Sequence, residues 1–140
     1  MPAMTPEDLH KFLEEHFPQA AHLDLRIEHL DDTTIRVRLP TGERHLRPGG
    51  TISGPTLMGL TDCAFYLLLL GRLGPVALAV TTNLNINFMR KPDPADLIGE
   101  ARLLKLGKTL AVGDFTIWSE GKDEPVAHAT LTYSIPPAGR

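Results

Sequence analysis

The sequence predicts an α+β fold in which one long helix is wrapped by a curved antiparallel sheet, with a short helix at the N-terminus. Three observations point there. Residues 54–71 hold Leu57, Leu60, Ala64, Phe65 and the run Leu67–Leu70, leaving almost no polar face, as a helix enclosed on most sides requires. Residues 77–88 alternate strictly, with Leu78, Val80, Thr82, Leu84, Ile86 and Phe88 on one face and Thr81, Asn83, Asn85 and Asn87 on the other, which is the period of a strand. Two further alternating runs, 97–106 and 109–119, meet at Gly107-Lys108, which reads as a two-residue hairpin loop with Gly first.

In chain order, Thr5 caps a short helix over 5–17, with Pro6 in its first position, Glu7 and Asp8 in its first turn, and Leu9, Phe12, Leu13 and Phe17 as its apolar stripe. Residues 23–30 and 33–39 alternate around Asp31-Asp32 and predict a hairpin. A polar connection, 40–50, delivers the chain to the long helix, whose start is marked by Ser53 or Gly54 as cap with Pro55 in the first turn. Gly71 is the expected stop. The last strand spans 126–135 and the tail beyond Pro136 is short.

The chain of 140 residues is expected to form one domain, with the N-terminal helix at about 5–17 and the core at about 23–135. A formal net charge of -3 with dispersed cations argues against a nucleic-acid partner. Gly59, Asp62 and Gly71 interrupt the long apolar run, so no membrane span is expected. The N-terminus shows no basic region followed by an apolar one, so no secretory signal is expected. The single cysteine, Cys63, excludes an intrachain disulfide and suits a reducing, cytoplasmic setting. It reads as a small core residue, since no histidine lies near it in sequence. The six histidines lack metal-ligand spacing.

One residue resists this description. Asp62 lies two turns inside the apolar helix, beyond the reach of the helix dipole, and Met58, Gly59, Phe65 and Tyr66 give it no cation one turn away. An acid in dry surroundings without a partner on its own helix either finds one elsewhere or has a chemical role.

The helix-and-sheet order, with GGTISGPTLMGLTDCAFY, VALAVTTNLNINFMRKP and LLKLGKTLAVGDF, resembles the hotdog-fold thioesterases of the phenylacetate-pathway, PaaI-like type. The resemblance implies acyl-CoA substrates, no metal or organic cofactor, a homodimer whose two sheets join side by side and which can pair again, and active sites at the protomer boundary. It assigns Asp62 as general base or nucleophile and the backbone N–H of Gly54, from the other protomer, as the donor to the thioester carbonyl. Where the family has His-Gly-Gly, this chain has Ser53-Gly54-Pro55. Arg47 falls near a loop position that often carries an Asn touching the thioester, and the hydroxyl that orients water falls on Thr81, or on Thr82. Only one of these two can face the site unless the strand bulges. Phe65, Tyr66 and Leu69 are expected along the acyl pocket. Arg90 and Lys91, or Lys105 and Lys108, are placed to meet coenzyme A phosphates. A non-catalytic acyl-CoA or acyl-chain binding module is the alternative. A hotdog hydratase or dehydratase fits less well, because Leu67 stands where that pattern has its histidine.

Overall fold

A helix apolar on nearly all sides is stable in water only when other elements cover it, and the computed structural model shows how this one is covered. It describes residues 3–21, 23–76 and 78–137. The order is α1 (Pro6–His16), α2 (Pro18–Ala21), β1 (Arg26–Leu30), β2 (Thr34–Leu39), a 3-10 turn (Glu43–His45), β3 (Leu46–Arg47), β4 (Thr51–Ile52), α3 (Gly54–Leu73), β5 (Val80–Phe88), β6 (Leu97–Leu106), β7 (Leu110–Ser119) and β8 (Ala127–Ser134). Strands β1, β2, β6, β7, β8 and β5, in that spatial order, form one antiparallel sheet curved around α3. This is the hotdog arrangement.

Ser53 caps α3, its hydroxyl accepting from the Thr56 N–H at 3.4 Å. Leu57, Leu60, Ala64, Phe65 and Leu67–Leu70 are all at most 2% exposed. Gly113 on β7 lets helix and sheet close to contact, because a Cβ there would lie 2.2 Å from the Phe65 ring and 2.4 Å from the Arg102 carbonyl oxygen. The helix runs past Gly71 and ends at Gly74, which takes φ 93° and donates its N–H to the Leu70 carbonyl at 2.8 Å. Gly71 is instead a contact glycine, with a Cβ there falling 3.2 Å from Leu30. By length and composition the 20-residue α3 does reach membrane-spanning size, contrary to the expectation from its interruptions, but two-thirds of its apolar window is buried inside the fold.

Helix α1 has the expected cap, made reciprocal by Asp8: Thr5 accepts from the Asp8 N–H at 3.1 Å and Asp8 accepts from the Thr5 N–H at 3.0 Å. It buries Leu9, Phe12 and Leu13, but leaves Phe17 41% exposed. Strand β1 begins at Arg26 rather than at residue 23, because Leu23 and Asp24 turn back onto the end of α2, donating to the Ala20 and Ala21 carbonyls, and Asp24 takes φ 57°. Within the connection 40–50, Leu46–Arg47 pairs with Thr51–Ile52 around Gly49 and Gly50, both at positive φ. The β6–β7 turn holds residues 107–109, one more than expected. It closes through the Gly107 N–H to the Leu110 carbonyl, with no positive φ at Gly107.

Strand β5 departs furthest from strict alternation. Opposite β8, Thr81 pairs with Tyr133 and Asn83 with Thr132, so Thr82 is an extra residue. The bulge reverses the phase. Thr81 faces α3, as do Leu84 and Ile86, while Leu78 and Val80, expected on the core face, are 69% and 56% exposed. Ala77 lies outside the described residues. Since β5 is the last strand of the sheet, one of its edges has no partner among the described residues.

Candidate active site

Three elements bring polar groups together beside α3. Asp62 projects from the helix two turns after its start, Thr81 from β5 just before the bulge, and Tyr133 from β8 directly across from Thr81. The Thr81 hydroxyl donates to Asp62 Oδ1 at 2.5 Å, and the Tyr133 hydroxyl donates to the same oxygen at 2.7 Å. Tyr133 also lies 3.0 Å from the Asp62 backbone carbonyl. Among the described residues no cation pairs with Asp62, and its Oδ2 accepts no hydrogen bond. The acid is half-buried, less dry than the sequence implies, because it opens onto a cleft of about 580 Å³.

The cleft has an apolar and aromatic wall and a polar floor. Tyr66 of α3 meets Phe17 edge to face, with ring centroids 5.9 Å apart, so the end of α1 supplies part of the wall along with His16 and Gln19. Tyr133 is 2% exposed and its ring lies 5.3 Å from Phe65 and 6.4 Å from Tyr66. Burial, then the nearby Asp62 carboxylate, pushes the Tyr133 phenol well up, so it stays a protonated donor. Burial likewise pushes the Cys63 thiol up to about 12, with Asp62 adding to the effect. Cys63 therefore carries a proton at neutral pH and is a poor nucleophile.

The remaining predicted residues are spread around this centre. Thr82 points away, donating to the Thr132 carbonyl at 3.1 Å from an exposed position. Tyr66 lines the cleft; Phe65 does not, being fully buried behind it against Gly113, and Leu69 is fully buried too. Gly54 and Ser53 sit at the start of α3, eight residues before Asp62, which is about 12 Å along the axis. The end of β5 packs there, with Phe88 3.6 Å from where a Gly54 Cβ would be. Arg47 is exposed on the β3–β4 ribbon. Arg90 is engaged by Glu124 at 2.5 Å and by the Pro125 carbonyl at 2.9 Å, and Lys91 is exposed beside it. Within one chain, then, Asp62, Thr81 and Tyr66 come together, while Gly54, Ser53, Arg47, Arg90 and Lys91 do not join them.

Tyr133 is the residue that sequence reasoning missed. A signal existed: Ala127, Ala129, Leu131 and Tyr133 share the core phase of the last strand, and a phenol in a core needs an acceptor.

Comparison with known proteins fixes the family. The profile of the Thioesterase superfamily matches residues 49–126, a span that holds α3, Asp62 and Thr81. The chain belongs to the thioesterase superfamily. A crystal structure of a "putative thioesterase" from Silicibacter sp. TM1040 is 52% identical, covers 98% of this chain and 95% of its own, and superposes with a TM-score of 0.89. The E. coli PaaI protein of the phenylacetic acid degradation operon is 22% identical, with 90% and 94% covered and a TM-score of 0.76, and so shares the fold. A "putative esterase" of Thermoplasma acidophilum is 26% identical over 114 residues, 81% of this chain and 85% of that one. This thioesterase-superfamily member thus has the hotdog fold that PaaI shares, and hydrolysis of a thioester is the class of chemistry its family supports.

Proposed function

We propose that this thioesterase hydrolyses acyl-CoA thioesters, with Asp62 as general base or nucleophile. The observation that carries the reading is the carboxylate itself: a half-buried acid on a cleft wall, held by two neutral hydroxyls and, among the described residues, by no cation. Such an acid has no counter-ion to be pulled away from before it can take a proton or attack a carbonyl, whereas one paired to a guanidinium does. Thr81, having given its proton to Oδ1, still has lone pairs with which to accept a hydrogen from water.

The carbonyl donor comes from a second copy of the chain. Gly54 and Asp62 of one helix are about 12 Å apart and cannot act on one carbonyl. Asp62 lies beside Thr81 at the beginning of β5, and Gly54 lies beside Phe88 at its end. Two β5 edges paired antiparallel about a two-fold axis bring the beginning of one to the end of the other, and so each Asp62 toward a partner Gly54. The exposed apolar side chains Leu78, Val80, Phe88 and Met89 lie on β5 or next to its ends, and the outer edge of this nine-residue strand, which β8 does not cover, is available for pairing. There the α3 N-terminus favours negative charge growing on the carbonyl oxygen.

In the base route, water gives its proton to Asp62 as its oxygen bonds to the carbonyl carbon. The C–S bond then breaks and the thiolate takes up that proton. In the nucleophilic route, Asp62 bonds to the carbon, the thiolate leaves, and water cleaves the mixed anhydride. Both routes use side chains and water alone, so we assign no cofactor. Phosphate contacts are assigned to Lys91, to Lys105 near the end of β6 and to Lys108 in the β6–β7 turn, because Arg90 is already held by Glu124. The free thiol of Cys63 suits a reducing compartment, and we place the enzyme in the cytoplasm.

The test is thiol release from a panel of acetyl-, hexanoyl- and phenylacetyl-CoA by the wild type and by Asp62→Asn. The expected result is hydrolysis of at least one thioester, reduced about 10²- to 10⁴-fold by the substitution. Undiminished release from Asp62→Asn removes the acid from its role, and saturable binding without release from any thioester identifies a binding module.

A further inference from the structure

Two hydroxyl protons converge on one oxygen of Asp62, and this asymmetry sorts the two oxygens by role. Thr81 comes from the edge strand and Tyr133 from its neighbour, and the β5–β8 register sets them opposite each other. Oδ1 accepts from both, at 2.5 and 2.7 Å, while Oδ2 accepts from neither. The Tyr133 ring packs between Phe65 and Tyr66 and the residue is 2% exposed, which fixes the phenol oxygen; of the two acceptors in reach, Oδ1 at 2.7 Å is nearer than the Asp62 backbone carbonyl at 3.0 Å.

We propose that Tyr133 is a positioning residue: with Thr81 it pins Oδ1 of Asp62, so that Oδ2 is the oxygen presented to water or to the thioester carbonyl. The inference rests on the reading of Asp62 as the reactive acid. A carboxylate turns about its last side-chain torsion with little resistance, and a two-donor clamp on one oxygen holds it. Water that donates one hydrogen to Oδ2 and the other to the Thr81 oxygen keeps a lone pair directed at the carbonyl carbon. When the O–C bond forms, the proton transferred goes to Oδ2. Thr81 cannot supply a proton to the water, because its own is on Oδ1. Tyr133 touches neither water nor substrate in this scheme.

The test compares wild type with Tyr133→Phe, which keeps the ring and removes the hydroxyl. With the hydrolysed acyl-CoA, kcat is expected to fall about tenfold while KM changes less than about twofold, since the lost contact orients the acid rather than the substrate. The acidic limb of the kcat/KM profile is expected to move to higher pH, because a donor to the charged form of the acid has gone. Tyr133→3-fluorotyrosine, nearly isosteric and a stronger donor, should move that limb to lower pH, and it serves if the phenylalanine variant does not fold. Crystal structures of wild type and Tyr133→Phe, free of substrate, should show the Asp62 carboxylate turned from its wild-type plane.

An unmoved limb, unchanged kcat and an unturned carboxylate overturn the proposal. Its failure is distinct from failure of the wider reading. If Asp62→Asn is inactive and Tyr133→Phe behaves as wild type, only the positioning role falls. If Asp62→Asn remains active, or no thioester is cleaved, the assignment of the acid falls while the paired crystal structures still decide whether the clamp exists.

Discussion

Asp62 and Asp114 are two carboxylates of one small fold, and their surroundings differ in kind. Asp114, on the outward face of β7, is 7% exposed and tied by the Arg102 guanidinium through both oxygens, at 3.2 and 2.9 Å, with His128 at 3.2 Å. Burial is the largest single influence on its carboxyl and pushes it up, but Arg102 and His128 together outweigh it, and the net displacement is downward. Asp62, half-buried on the other side of the sheet, has two hydroxyls on one oxygen and no cation among the described residues. Charge compensation makes Asp114 a strut between strands β6, β7 and β8. Neutral donors hold Asp62 in place and leave one of its oxygens open to the cleft. The partner set, more than burial, separates an acid used for folding from one available for chemistry.

The comparison can be broken most severely by giving Asp62 the cation it lacks. Gly59 lies one turn before it on the cleft wall, and a Cβ there meets nothing within 4 Å. Gly59→Lys is expected to lower kcat/KM about a hundredfold by compensating the acid and filling the cleft. Loss of a mid-helix glycine should hold Tm level or raise it, and thermal melts beside the assay separate this from unfolding. Activity retained with a lysine in place would mean that Asp62 need not be free of cations.

A smaller effect follows from removing the cation that Asp114 has. Arg102→Leu is expected to lower Tm by about 4 °C and leave hydrolysis per folded molecule unchanged. The pH dependence has a definite sign. A carboxyl displaced downward in the folded state stabilises it above the unfolded carboxyl value of about 3.9 and loses that contribution as pH falls through the folded value. In Arg102→Leu the folded carboxyl value rises toward or past the unfolded one, so the part of the acid decline of Tm that Asp114 contributes should shrink and the deficit against the wild type should narrow below about pH 4.

Asp31 provides the smallest case. In the β1–β2 turn it accepts from the Thr33 and Thr34 N–H groups at 2.9 and 2.8 Å and from His29 at 2.8 Å. These bonds, that to His29 foremost, bring its carboxyl down to about 2. It is half exposed, so solvent screens much of this. Asp31→Ala should cost about 2 °C of Tm at neutral pH, with the difference from wild type narrowing below about pH 3.9 and mostly gone at pH 2, where the wild-type carboxyl is itself half protonated. Equal deficits at both pH values would show that the side chain acts through packing alone.

The sequence shows the main parts of this picture unevenly. Helix α3 and its misplaced acid are legible, because a polar residue inside an apolar run is visible without coordinates. The phase of β5 is not. Thr81 and Thr82 are the same residue type, so nothing local says which faces inward, and the extra residue is decided by pairing with a strand some fifty residues away. Gly71 and Gly74 are equally plausible helix stops until Leu30 is seen packing on the first. The β3–β4 ribbon, with two residues to a strand, is too short to show alternation. Tyr133 was readable as a core phenol in need of an acceptor, but its acceptor lies 71 positions earlier, and only the fold brings the two together.

The most direct measurement sets the two acids side by side: Asp62→Asn and Asp114→Asn, each assayed for acyl-CoA hydrolysis and for Tm. The account predicts that Asp62→Asn loses about 10²- to 10⁴-fold in kcat/KM with Tm nearly unchanged. Asp114→Asn should lose several degrees of Tm and keep its kcat/KM per folded molecule. Asp62→Asn that still hydrolyses acyl-CoA at the wild-type rate, or Asp114→Asn that is inactive though fully folded, would contradict it.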